Sequence, residues 1–193
     1  LSAEERVTLT SSLNNMLRRE FNFKVSADYL VLSATEDIDR ARLVNRVDDN
    51  CREQMIEWAF ELNDHCHFDS DTVVVAVKLT DLYVNQTREV LMDRDLFQLV
   101  LMTCLFIAVK IHERQAFSSG QLAGLSRDKF QPHQIEQLEV EIGMVLQWGF
   151  TPPTPKQFFR VITALTSLSA EERQSLETAL EEPLRRALTV CEN

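Results

Sequence analysis

The sequence predicts an all-α protein, and three observations carry that prediction. Glycine and proline are scarce, at 4 and 5 among 193 residues, whereas Leu, Glu, Ala and Arg abound. Gly and Pro are the costliest residues inside a helix, and the abundant four are among the cheaper ones. Side chains recur at helical spacing, as in the stripe Val73, Val77, Thr80 and Val84. Start and stop signals bracket such stripes repeatedly along the chain. With 45% hydrophobic residues, the chain is long enough for one full core with a small flanking part.

Taken in order, Ser2-Ala3-Glu4-Glu5 is a capping-box pattern that predicts a helix over 3–19. The hexapeptide Leu-Ser-Ala-Glu-Glu-Arg recurs at 168–173 and reads as the same capping device used twice, too short for an internal repeat. Over 20–39 the pattern is mixed, with Phe21, Phe23, Tyr29, Leu30 and Leu32 available to pack on a neighbouring domain. Five helical segments follow closely. The first is expected over 41–65, breaking at Asn63-Asp64-His65-Cys66-His67. The second, over 70–85, opens with Asp69 or Ser70 as its cap. Val73-Val74-Val75 alone would suit a strand, but the longer stripe favours a helix. The third, over 95–111, is apolar nearly all round and so belongs at the centre of the globule. The fourth is short, over 118–125. The fifth starts at Pro132, tolerated in a first turn, and runs to Trp148. Gly149-Phe150-Thr151-Pro152-Pro153-Thr154-Pro155 is a stop signal and an extended link. A helix from Pro155 and two short ones, over 170–181 and 184–191 around Pro183, complete the chain.

Composition excludes several functions. A net charge of −10 with scattered basic residues argues against nucleic acid, whose binders cluster Lys and Arg. Cys51, Cys66, Cys104 and Cys191 show no framework spacing and read as reduced thiols in a nuclear or cytoplasmic protein. The sequon Asn85-Gln86-Thr87 is then idle. The longest apolar run, 96–109, is shorter than a bilayer span and is bounded by Asp95 and Lys110, so no membrane partner is expected. There is no signal peptide, although Leu1 is not a start methionine and residues can precede it. Asp64-His65-Cys66-His67 lacks the distant ligand pair that zinc would need. With no phosphate loop, nucleophile elbow or catalytic pair in view, neither cofactor nor catalytic residue is expected.

The informative residues are charges on or beside apolar stripes. On the fifth helix Ile135, Leu138, Ile142, Val145 and Leu146 form one stripe, and Glu139 falls within its sector. A carboxylate there needs a partner. Lys110, ending the buried third helix, is its expected neighbour. Cys51, Met55, Trp58, Ala59 and Leu62 share a face of the first helix, with Arg52 at its edge. Asp81 lies at the edge of the second helix's stripe. An Arg52–Asp81 pair would tie those two helices together.

In order and spacing, these elements resemble the cyclin box: Arg52-Glu53-Gln54-Met55-Ile56-Glu57-Trp58, Ala76-Val77-Lys78-Leu79-Thr80-Asp81, Ala108-Val109-Lys110 with Glu113, Glu139, and Trp148-Gly149-Phe150-Thr151-Pro152-Pro153-Thr154. The resemblance covers about 45–159 and is nearest in flavour to mitotic-type cyclins. It implies a five-helix bundle around a central third helix. The chain then divides into an N-terminal helical extension (1–40), the box (41–153) and C-terminal flanking helices (154–193). A second box would need on the order of 100 more residues, so the tail is either a flank or the start of one. The implied function is a non-catalytic regulatory subunit that binds and activates a cyclin-dependent kinase in cell-cycle control. Lys110 and Glu139 match the family pair that binds the kinase helix αC. Ile107, Ile111, Trp148 and Phe150 fall where apolar side chains pack on that helix, and Arg52 and Asp81 match an internal salt bridge. Met55, Trp58, Glu61 and Gln98 keep part of a groove for Arg-x-Leu substrates, where Cys51 and Gln54 are less typical. Two other departures stand out. His112 occupies an ordinarily acidic position, with Glu113 next to it. Gly143 replaces a bulkier residue one turn after Glu139, which leaves a shallower contact or room for a larger kinase side chain. The alternative reading is a cyclin-fold transcription or scaffold module, for which an acidic chain is poorly suited.

Overall fold

The computed structural model describes residues 2–24, 30, 45–127, 129–166 and 168–189. The described helices are α1 (Ala3–Asn22), α2 (Asp49–Cys66), α3 (Ser70–Gln86), α4 (Arg94–His112), α5 (Ser119–Leu125), α6 (Pro132–Val145), α7 (Pro155–Ala164) and α8 (Ala170–Thr189), with a 3-10 turn, Arg88–Met92, between α3 and α4. There is no strand among the described residues. The fold is all-α, as the composition and periodicity indicate.

Most helix starts are chemically marked. Ser2 and Glu5 close a capping box on α1, and Ser169 and Glu172 close the same box on α8. The repeated hexapeptide is thus one capping device used twice. Asp48, Asp69 and Asp93 accept backbone N–H groups at the starts of α2, α3 and α4, and Thr154 does so for α7.

Three boundaries differ from the sequence reading. Helix α2 opens at Asp49, not near 41. The Val47 N–H donates to Leu91 O at 2.9 Å and Arg94 Nε to Arg46 O at 2.7 Å, which hold the preceding backbone out of the helix. The 40/41 boundary, Tyr29 and Leu32 lie outside the described residues. Helix α6 stops at Val145 and does not reach Trp148. Helix α8 is one helix that passes through Pro183 instead of breaking there. Proline forfeits an internal hydrogen bond, but contacts just beyond it hold α8 against α2. Leu184 is buried, Arg185 pairs with Asp64, and Arg52 Nη1 donates to Leu188 O at 2.9 Å.

The core is centred on α4, which is buried continuously from Leu99 to Val109 and packs against α2, α3, α5 and α6. The helix outruns the apolar stretch seen in the sequence. By length and composition alone it is long and apolar enough to cross a membrane, but here its neighbours cover it.

A polar clasp fastens the tail to the box, and no local sequence signal announced it. Thr154 Oγ1 donates to Asp71 Oδ2 at 2.7 Å. Lys156 is nearly buried, with its Nζ 3.0 Å from Asp69 Oδ1 and also paired with Glu181. Arg160 reaches Glu177 at 2.6 Å. These bonds join the start of α3 to α7 and α8. Glu113 braces the same corner by accepting from Asp69 N at 3.0 Å.

Candidate functional site

Lys110 is the first residue of α4 beyond its buried run, and Glu139 stands on α6 opposite it. Lys110 Nζ lies 2.5 Å from Glu139 Oε1, with the lysine side chain 42% exposed and the glutamate 19%. The ammonium also sits 4.8 Å from the Phe106 ring centroid, a cation–π contact that helps hold it over apolar surface. The pair is internally satisfied yet open to solvent, so it can meet further polar groups without first being dug out of a core.

Large apolar side chains are exposed on the same two helices and the turn after them: Ile111, Val140, Met144 and Trp148. The turn that brings Trp148 here is unusual. Gln147 and Trp148 have φ of 52° and 58°, a left-handed conformation that costs a non-glycine residue energy. Trp148 N–H donates to Gly143 O at 2.8 Å, and the indole folds over Gly143. A Cβ at Gly143 would stand 2.8–2.9 Å from three ring atoms. The glycine therefore leaves no empty space for a guest, because Trp148 already fills it. This return is also why α6 ends at Val145. Phe150 meets the indole edge-on at 5.7 Å between centroids and is half-buried.

The structure separates the remaining candidates. Ile107 is 2% exposed and belongs to the core cluster, so it is not among the side chains offered at this surface. Glu113, the acidic residue near Lys110, is turned toward the start of α3 and is engaged there. His112 Nε2 is buried with no hydrogen-bond partner. Arg52 and Asp81 come together as a fork, Nη2 to the two carboxylate oxygens at 3.3 and 3.1 Å, with the side chains 12% and 20% exposed. That pair ties α2 to α3, and the bond to Leu188 O adds α8. Met55 and Trp58 pack half-buried against the core, while Glu61 is exposed. Gln98 Oε1 accepts from Lys129 Nζ at 2.8 Å, and Lys129 also pairs with Asp95 at 2.5 Å, so Gln98 is already engaged by a lysine. No group of three or more metal-ligand side chains converges among the described residues. Asp64, His65 and Cys66, where the sequence reading has the helix breaking, form the last turn of α2, and His67 is its left-handed cap.

Sequence reasoning did not find Val140 and Met144, nor the way Trp148 closes over Gly143. The run Val140-Glu141-Ile142-Gly143-Met144 holds the first two in view, since Val140 and Met144 fall on the side of α6 away from the Ile135, Leu138 and Ile142 stripe.

Comparison with known proteins agrees with this architecture. The family model "Cyclin, N-terminal domain" matches residues 11–151, which span α1 to α6. The chain belongs to the cyclin family. Cyclin-D3-3 of Arabidopsis thaliana is 31% identical over 111 residues, 56% of this chain and 30% of that protein. G2/mitotic-specific cyclin-B3 of Caenorhabditis elegans is 29% identical over 114 residues, 59% of this chain and 29% of that protein. G1/S-specific cyclin-E of Caenorhabditis briggsae is 29% identical over 128 residues, 66% of this chain and 24% of that protein. The chain thus spans less than a third of the length of these relatives, and mitotic B-type cyclins stand among them beside D and E types. Among solved structures, a viral cyclin from herpesvirus saimiri superposes with a TM-score of 0.71 at 17% identity, covering 93% of this chain and 72% of that one. At that identity the likeness speaks to the fold alone.

Proposed function

We propose that this chain is a regulatory subunit that binds and activates a cyclin-dependent Ser/Thr kinase in cell-cycle control. On this reading it contributes no catalytic group and acts in the nucleus or cytoplasm. The observation that carries it is the Lys110–Glu139 pair, open to solvent at the lysine, with Ile111 next to Lys110 and Trp148 folded over Gly143 one turn beyond Glu139. Anchors of this kind, apolar and aromatic residues around a few fixed charges, dominate interface energies. In a kinase, a strand lysine must pair with a glutamate on helix αC before the phosphates are held correctly. A partner that grips αC in its inward position shifts the population toward that state and need do nothing else. The Met55, Trp58, Glu61 and Gln98 surface is assigned on the same reading to Arg-x-Leu substrates.

Calorimetric titration against a panel of cyclin-dependent kinases tests this, with the wild type compared to Lys110→Ala and Glu139→Ala. The expected result is tight binding to at least one kinase, weakened by about 2–4 kcal/mol in either variant. A folded chain that binds none of them would overturn the proposal. Tight, salt-sensitive DNA binding in a gel shift would instead favour the scaffold reading.

A further inference from the structure

Helix α8 covers α2 incompletely. Between the C-terminal half of α2, the start of α3 and α8 lies a cleft of about 360 Å3 whose walls include Phe60, Phe68, Asn63, Ser70, Glu182 and Arg185. Two polar atoms on these residues have no hydrogen-bond partner. Asn63 is only 4% exposed, and its Nδ2 donates to Phe68 O at 3.1 Å. That bond fixes which end of the carboxamide is which, and leaves Oδ1 a buried acceptor lacking a donor. Ser70 Oγ is the second unpartnered atom. Buried polar groups are ordinarily satisfied, so two exceptions on one wall call for a cause.

Charge and shape indicate what would satisfy them. The Glu182 carboxylate has no ion pair or hydrogen bond among the described residues, and neither have those of Glu53 and Glu57 in the adjoining cleft of about 460 Å3. Arg185 lies between the two clefts and lines both. Its guanidinium is 4.6 Å over the Phe60 ring and 2.5 Å from Asp64 Oδ2, with 40% of the side chain exposed. The chain's own arginine shows the chemistry this wall accepts, a cation held over a phenyl ring and paired with a carboxylate.

We infer that this cleft is a recognition site for an arginine side chain of a basic partner peptide, and that Arg185 occupies part of it until displaced. An incoming guanidinium carries enough N–H donors for Asn63 Oδ1, Ser70 Oγ and Glu182 together. Leaving its place costs Arg185 little, since its pair with Asp64 is largely exposed. The guest would satisfy two polar atoms that have no hydrogen-bond partner of their own. On α2 the cleft residues Phe60 and Asp64 lie on the side opposite Met55 and Trp58, and neither Lys110 nor Glu139 lines the cleft. It stands or falls independently of the kinase reading.

The test is a titration of the full chain with a glycine-serine hexapeptide bearing one arginine, and with its lysine counterpart. Binding is followed by the Asn63 side-chain amide resonance in NMR. Arg185→Ala, and Arg185→Gln with its longer stem, should bind the arginine peptide about tenfold tighter than wild type. Adding Glu182→Gln should cost about threefold. The lysine peptide should bind more weakly throughout, and the Asn63 amide should move on saturation. If both Arg185 variants are folded by circular dichroism yet bind no better than wild type, the inference is wrong. Binding that ignores Glu182→Gln and leaves the Asn63 amide unmoved would overturn it equally, by placing the peptide elsewhere.

Discussion

Gly143→Ala isolates the contact that shapes the exposed face. Its new Cβ would stand 2.8–2.9 Å from the Trp148 ring, against ordinary carbon contacts of about 3.5–4.0 Å. The ring atoms concerned are at the free end of the side chain, so the indole swings off and the backbone stays. Trp148 is 60% exposed, so roughly 100 Å2 of its surface is covered, on the scale of about 250 Å2 for a tryptophan. Uncovering that area costs at most about 2.5 kcal/mol. Alanine in place of glycine inside a helix returns about 1 kcal/mol. The expected net loss is about 1–1.5 kcal/mol, a fall in Tm of about 2–6 °C for a chain of this size. The decisive comparison uses a Trp148→Ala background, where the clash is absent. There the same substitution should stabilise the chain by up to about 1 kcal/mol. Urea denaturation of the four proteins measures the cycle. Trp58→Phe leaves Trp148 as the lone tryptophan, whose selectively excited emission should move to the red in Gly143→Ala. If Gly143→Ala destabilises equally in both backgrounds, the indole is not what fills the space above Gly143.

Three further outcomes are expected. Arg52→Ala removes the fork that joins α2 to α3 and the bond to Leu188 O; it should cost about 2–3 kcal/mol in urea, and a loss below about 0.5 kcal/mol would place the pair with ordinary surface bridges. Burial pushes the Asp71 carboxyl above its ordinary 3.8, against the lowering effect of the Thr154 hydrogen bond. A carboxyl raised in the fold penalises folding at neutral pH, and the penalty fades as pH falls through the folded value toward the unfolded one. Asp71→Asn should therefore be the more stable protein at pH 7, with the gap narrowing by pH 3, and denaturant melts showing a constant gap would contradict this. Burial also pushes the Cys104 thiol up to about 12, so iodoacetamide at pH 8 should leave Cys104 unmodified in the folded chain and alkylate it once unfolded, as peptide mass spectrometry would read.

What the sequence disclosed, and what it withheld, divides along one physical line. Features fixed by a residue's own helix were legible. The apolar run of α4 specified a central helix, and Glu139 on the stripe of α6 demanded a cation that Lys110 could supply. Features fixed by a segment returning from elsewhere were not. The end of α6 is set by Trp148 folding back on Gly143, and the start of α2 by Val47 pairing with Leu91 O. Ile107 shows the same limit from the other side. It sits close to Lys110 in the chain, but packing against the surrounding helices buries it. The clasp of Asp71, Thr154 and Lys156 is the extreme case, since each residue taken alone looks like a cap or a surface charge. Only the docking of α7 and α8 turns them into one buried set, with Asp71 Oδ1 left unpartnered. Such a set contributes little net stability, because desolvation offsets most of the attraction. Its orientation is nonetheless strict, because Lys156 in any other position would be a buried ammonium without carboxylates. The clasp therefore acts on where α7 and α8 sit more than on how firmly the chain is folded. Lys156→Met, similar in bulk but without charge, should then leave the melting of the box helices nearly unchanged while hydrogen exchange quickens in α7 and α8 alone. Uniform loss of protection across α2 to α6 would show that the clasp supports the whole core instead.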